Sequence, residues 1–163
     1  MSDTVRGRQR GSDRLRREGD RLILDTYGRS TGFCIDPIEK KPFFHVYPGS
    51  RAFSIATVGC NFRCLHCQNH EISQWPHERS GIPGTAMAPQ DIVRHAVQRR
   101  ATSIAYTYTE PTIFFEYAYD TAVAARTAGV KNVFVTNGYT TTEALEYLAP
   151  YLDAANVDLK GFS

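Results

Sequence analysis

Past residue 51 the sequence switches repeatedly between short apolar runs and longer stretches of helical period, and this alternation restricts the possible folds more than any other feature. Residues 52–58 (A-F-S-I-A-T-V), 103–108, 132–136 (N-V-F-V-T) and 155–160 read as four strands. Residues 89–100 open on Pro89, suited to a first helical turn, and place Ile92, Val93, Ala96 and Val97 at helical spacing. Residues 112–128 set Phe114, Ala118, Thr121, Ala125 and Ala128 along one face and stop at Gly129. Thr140 to Glu143 has the form of a capping box opening a third helix, with Leu145 and Leu148 expected to be buried and Pro150 ending it. Strands that alternate with helices at this pitch form right-handed parallel βαβ units, so the fold class is α/β.

The remainder of the chain divides in two. Residues 1–21 form a polar arm with seven Arg against four acids, while the rest is nearly balanced, with 12 bases against 13 acids. Such an arm can bind nucleic acid or an acidic partner, but it lacks interleaved aromatics for base stacking, so a solvated, disordered arm is the expectation. Residues 22–51 are an N-terminal strand and loop segment. Within the second part a short strand is expected over 21–27, a turn over 28–32, and a packed loop over 36–50, where three prolines interrupt any period. Residues 52–163 then form the α/β unit. No apolar run approaches the roughly 18 residues of a membrane span, and the Arg-rich start has no apolar core, so a cytoplasmic protein is expected. Ser163 falls just past the fourth strand, with no helix to cover it, and a C-terminally truncated domain is therefore expected.

Three of the four cysteines crowd into Cys60-Asn-Phe-Arg-Cys64-Leu-His-Cys67, a C-x3-C-x2-C motif, and Cys34 stands apart. Clustered cysteines in a cytosolic chain point to metal ligation rather than disulfides. Three thiolates on one tight loop suit a small iron–sulfur cluster with one iron left open, and an open metal position is where a substrate binds. A zinc site completed by His66 or His70 is the alternative, although no second cysteine pair follows Cys67.

The motif after the first barrel strand resembles the signature of the radical S-adenosylmethionine (radical SAM) superfamily. The run D-P-I-E-K-K-P, P-G-S, G-C-N-F-R-C-L-H-C-Q-N, Y-T-Y-T-E-P-T-I, T-N-G-Y and V-D-L-K-G is similar to the radical SAM enzymes of the AmmeMemoRadiSam system, relatives of pyruvate formate-lyase activating enzyme. The resemblance implies a partial (β/α) TIM-like barrel, with about four parallel strands of the usual six. It implies a 4Fe–4S cluster on Cys60, Cys64 and Cys67 whose open iron is chelated by S-adenosylmethionine, with no further catalytic residue assigned. It also implies an electron donor such as flavodoxin or ferredoxin, and a protein substrate or a complementing C-terminal half as a further partner.

The same resemblance suggests the cofactor contacts. His66 occupies a position near the adenine, and Gln68 and Asn69 receive no role. The family's Gly-Gly-Glu-Pro segment corresponds to Tyr108, Thr109, Glu110 and Pro111, so the glycines are replaced while Glu-Pro is kept. Glu110 is a candidate for the methionine amino group, or a favourable charge at the following helix. Asn137 is a contact candidate, Gly138 serves the turn, and Val135 stands where the activating enzymes carry Asp. Asp158 and Lys160, two apart on the last strand, face one side, Lys160 for the cofactor carboxylate and Asp158 for its ribose or amino group, or else they form a local ion pair. A glycyl-radical activating enzyme of the pyruvate formate-lyase type and a non-catalytic iron–sulfur or zinc fragment remain as alternatives.

Overall fold

The computed structural model describes residues 15–161. Most of the expected arm, residues 1–14, lies outside the described residues. From Leu15 onward the chain is paired: β1 (Leu15–Glu18) and β2 (Arg21–Leu24) form an antiparallel hairpin in the register Glu18↔Arg21. Gly19 supplies the positive φ of +61° that a two-residue hairpin turn needs.

A five-stranded sheet carries the fold. Its order is β4 (Gly32–Pro37), β5 (Arg51–Ala56), β7 (Ser103–Tyr106), β8 (Lys131–Thr136) and β9 (Ala154–Val157). Strands β3 (Arg29–Ser30) and β6 (Thr85–Ala86) pair separately. Between the sheet strands lie α1 (His70–Glu78), α2 (Pro89–Gln98), α3 (Phe115–Thr127) and α4 (Thr142–Leu148). The pairs β5–β7, β7–β8 and β8–β9 are parallel, as the βαβ alternation requires, while β4 runs antiparallel to β5. The described strands form an open, mostly parallel sheet. No described helix is long and apolar enough to cross a membrane.

The period of two separates large from small side chains. Phe53, Ile55, Ile104, Tyr106 and Phe134 face α2 and α3, where they meet Ile92, Ala96, Tyr117, Ala118, Ala122 and Ala125. On the opposite face Ala52, Ala105 and Val133 are covered by Ile38 and Phe43. The 36–50 segment is thus packed, as expected, but its first residues belong to β4 and the short 3-10 turn Ile38–Lys40. Both faces of the central strands are buried, which explains their nearly continuous apolar runs. The functional residues gather past the C-terminal ends of the parallel strands.

Candidate active site

The segments following β5, β7, β8 and β9 line one cavity of about 670 Å3. Cys60, Cys64, His66 and Cys67 come from the loop after β5, and Tyr108, Thr109 and Glu110 from the segment after β7. Asn137 follows β8, and Asp158 and Lys160 follow β9. Parallel strands all end on the same sheet edge, so residues far apart in sequence meet there.

The cysteine loop is fastened to α1. Pro76, inside that helix, has no N–H to give the carbonyl four residues earlier, that of Ile72. The orphaned Ile72 carbonyl instead accepts the Gly59 N–H at 2.7 Å, just ahead of Cys60. Gln74, buried on the same helix, donates Nε2 to the Phe62 carbonyl at 3.0 Å. The Phe62 N–H points at Cys60 Sγ at 3.4 Å, and Ser73 Oγ lies 3.5 Å from Cys67 Sγ. Among the described residues no cysteine is in a disulfide. Among the described residues no three His, Cys, Asp or Glu side chains are placed to hold a single metal ion. The chemistry of the donor set fits an iron–sulfur cluster: three half-buried sulfurs border one cavity, with the Phe62 N–H directed at one of them and the Ser73 hydroxyl beside another.

Glu110 is buried and heavily bonded. Its Oε1 accepts Thr112 N at 3.1 Å, Thr112 Oγ1 at 2.7 Å and Thr136 Oγ1 at 2.6 Å, and its Oε2 accepts Asn137 N at 2.7 Å. It therefore caps the turn leading into α3 and also ties the end of β7 to the end of β8. Asn137 in turn donates Nδ2 to Asn61 Oδ1 at 2.8 Å, joining the β8 end to the cysteine loop. Lys160 and Asp158 form an ion pair at 2.8 Å. That hydrogen bond is the main cause of the raised Lys160 pKa; burial opposes it, and the charges of Asp158, Cys64 and Cys67 reinforce it. His66 is exposed at the cavity wall.

Several site residues have no role assigned from the sequence. Lys41 is 3% exposed, lines the cavity and pairs with Asp36 at 2.8 Å. Asp36 also accepts from Lys40 at 2.8 Å, Tyr108 OH at 2.9 Å and Ser54 Oγ at 3.3 Å. Burial pushes the Asp36 carboxyl up, but the hydrogen bonds of Lys40, Lys41 and Tyr108 outweigh it and hold the group well below the usual carboxylate range. Tyr108 is raised, first by burial and then by its contact with Asp36 and the nearby negative charges. Thr136, Ser73 and Gln74 are the other residues missed.

The pattern of the Radical SAM superfamily matches residues 54–163. The chain is also 51% identical over 135 residues to the uncharacterized protein MJ0808 of Methanocaldococcus jannaschii. That alignment covers 83% of this chain and 39% of the relative, so the chain spans about two-fifths of the relative's length. With the matched region running from β5 through the cysteine loop to the last strand, this chain belongs to the radical SAM superfamily.

Proposed function

We propose that the chain is the cluster-bearing part of a radical SAM enzyme of the AmmeMemoRadiSam type. In this reading Cys60, Cys64 and Cys67 ligate a 4Fe–4S cluster, and S-adenosylmethionine occupies the adjoining cavity. The observation that carries it is the meeting of three cysteines with the ends of three further parallel strands on a single cavity of about 670 Å3. Cluster and cofactor, when bound, supply one-electron reductive cleavage of a C–S bond, releasing methionine and a 5′-deoxyadenosyl radical that takes hydrogen from the substrate.

The chain's own residues bind, orient and enclose. Lys160 offers an ammonium to the cofactor carboxylate, with Asp158 at its side for the ribose or amino group. Glu110 keeps an acceptor direction on Oε2, which takes one bond among the described residues, for the methionine amino group. Asn137 is held by its bond to Asn61 where it borders the cavity. Tyr108 and Thr109 form the wall that keeps water out, and the exposed ring of His66 covers the adenine. Flavodoxin or ferredoxin supplies the electron, and the substrate, a protein or a small molecule, is selected with a complementing C-terminal half.

The test is anaerobic reconstitution with iron and sulfide, metal analysis, reduction, and an assay for 5′-deoxyadenosine after addition of S-adenosylmethionine. Wild-type protein is expected to bind iron and form product, and Cys64→Ala to form none. Zinc without iron would overturn the reading. A bound cluster without product would make the chain a cluster-holding module.

A further inference from the structure

Ser73 is 1% exposed, on the face of α1 turned toward the cysteine loop. A serine hydroxyl has one proton and two acceptor lone pairs. Gln74 Nε2 lies 3.3 Å from Ser73 Oγ and donates to one lone pair. The proton then has two acceptors, the His70 carbonyl at 3.2 Å and Cys67 Sγ at 3.5 Å. A carbonyl in the first turn is a neutral acceptor, whereas a ligating cysteine is a thiolate carrying charge, and a charge-assisted bond wins that competition.

We propose that Ser73 donates a hydrogen bond to the Cys67 thiolate and thereby raises the reduction potential of the cluster. The inference rests on reading Cys67 as a cluster ligand. Reduction adds negative charge that spreads onto the cysteine sulfurs, so a donor aimed at one of them stabilises the reduced state more than the oxidised one. Burial of Ser73 keeps water from competing for its hydroxyl, and the low local dielectric strengthens the bond. Gln74 acts through Ser73: it occupies the hydroxyl's lone pair and also holds Phe62, whose own N–H faces Cys60 Sγ. Two adjacent residues of α1 therefore govern polar contacts at the first and last cysteines of the motif.

The experiment is a potentiometric titration of the reconstituted chain, followed by electron paramagnetic resonance of the reduced cluster. Ser73→Ala is expected to keep its iron and its signal but to titrate at a lower midpoint than wild type, while Ser73→Thr, which retains the hydroxyl, stays near the wild-type value. Equal midpoints for Ser73→Ala and wild type would overturn the proposal. Ser73→Thr against Ser73→Val repeats the comparison at matched shape, so a packing defect in Ser73→Ala leaves the answer intact. Loss of the cluster in both hydroxyl-free variants, with retention in Ser73→Thr, would also overturn it, since the hydroxyl would then serve assembly and not potential. A wild type that assembles no iron–sulfur cluster defeats the functional reading itself, whereas a cluster with an unmoved midpoint defeats only the role of Ser73.

Discussion

Replacing Glu110 with glutamine changes one atom, and the structure allows its cost to be worked out. The carboxylate is 1% exposed and accepts from two backbone N–H groups, Thr112 and Asn137, and from two hydroxyls, Thr112 and Thr136. Hydroxyls can rotate to become acceptors, but backbone N–H groups cannot. If the new amide nitrogen takes the Oε2 position, it meets the Asn137 N–H at what was a 2.7 Å contact. If it takes the Oε1 position, it meets the Thr112 N–H instead. One buried donor is stranded either way, at about 1–3 kcal/mol, and the surviving bonds lose their charge assistance, about 1 kcal/mol each. The expected loss is about 4–6 kcal/mol, a large share of the roughly 5–15 kcal/mol that stabilises a domain. Urea unfolding monitored by far-UV circular dichroism at neutral pH measures it. Binding of S-adenosylmethionine to the loaded protein should weaken as well, because Thr136 and Asn137 lose their anchor. A Glu110→Gln variant within about 1 kcal/mol of wild type would refute the claim that this carboxylate fastens two strand ends.

Asp36→Asn strands the Lys41 ammonium in a buried site and is expected to cost about 3–5 kcal/mol by denaturant unfolding, more than Lys41→Met, which leaves Asp36 bonded to Lys40, Tyr108 and Ser54. Because the folded Asp36 pKa lies below its unfolded value, its contribution is complete above the ordinary carboxylate range near pH ~4 and is lost as pH falls toward the depressed folded value. Wild-type stability should therefore drop in strong acid more steeply than that of Asp36→Asn, measured as urea midpoints against pH. Pro76→Ala restores an N–H that competes with Gly59 for the Ile72 carbonyl, and amide exchange at Gly59 should speed up about threefold to tenfold. Gly138→Ala combines a φ of +76° with a Cβ 2.9 Å from Val157 Cγ1, and it should lower stability by about 1–3 kcal/mol in thermal unfolding.

The elements read correctly from the sequence are those whose period comes from burial. Strands β5, β7 and β8 are buried on both faces, and α2 and α3 each present a stripe of apolar side chains to the sheet. Helix α1 was not legible, because its interior Pro76 breaks the pattern and the residues it buries, Ser73 and Gln74 among them, are polar. Strand β4 was hidden by its alternation of glycine, proline and half-exposed residues at the sheet edge. The expected capping box at Thr140 is shifted by one: Thr141 is the N-cap, accepting from Ala144 N at 3.3 Å, and with the helix turned accordingly Leu148 is buried while Leu145, expected to be buried, is exposed. Residues 15–21, expected within the arm, pair as a hairpin because Gly19 and Asp20 make a turn that composition alone conceals. The strand-end residues could be located because each lies beside a short recognisable motif. The contact between Asp36 and Tyr108, 72 residues apart, has no such local mark.

Tyr108 joins these two kinds of information. Where the family pattern has glycine, a tyrosine suggests a different backbone. Residue 108 nevertheless keeps a left-handed φ of +67°, the conformation glycine adopts without cost. For a tyrosine that conformation costs about 1–2 kcal/mol. The offset comes from the side chain, which turns back over the small-residue face of the sheet, with its ring against Gly32 and beneath Lys41 Nζ, 4.3 Å from the centroid. Its hydroxyl donates to Asp36, and such a charge-assisted bond contributes about 1.5–3 kcal/mol. The strain at the end of β7 is thus balanced by the Asp36–Lys41 pair lying against β4 and β5. Tyr108 thereby links that pair to the segment carrying Thr109 and Glu110, on the cavity wall beside the cysteines.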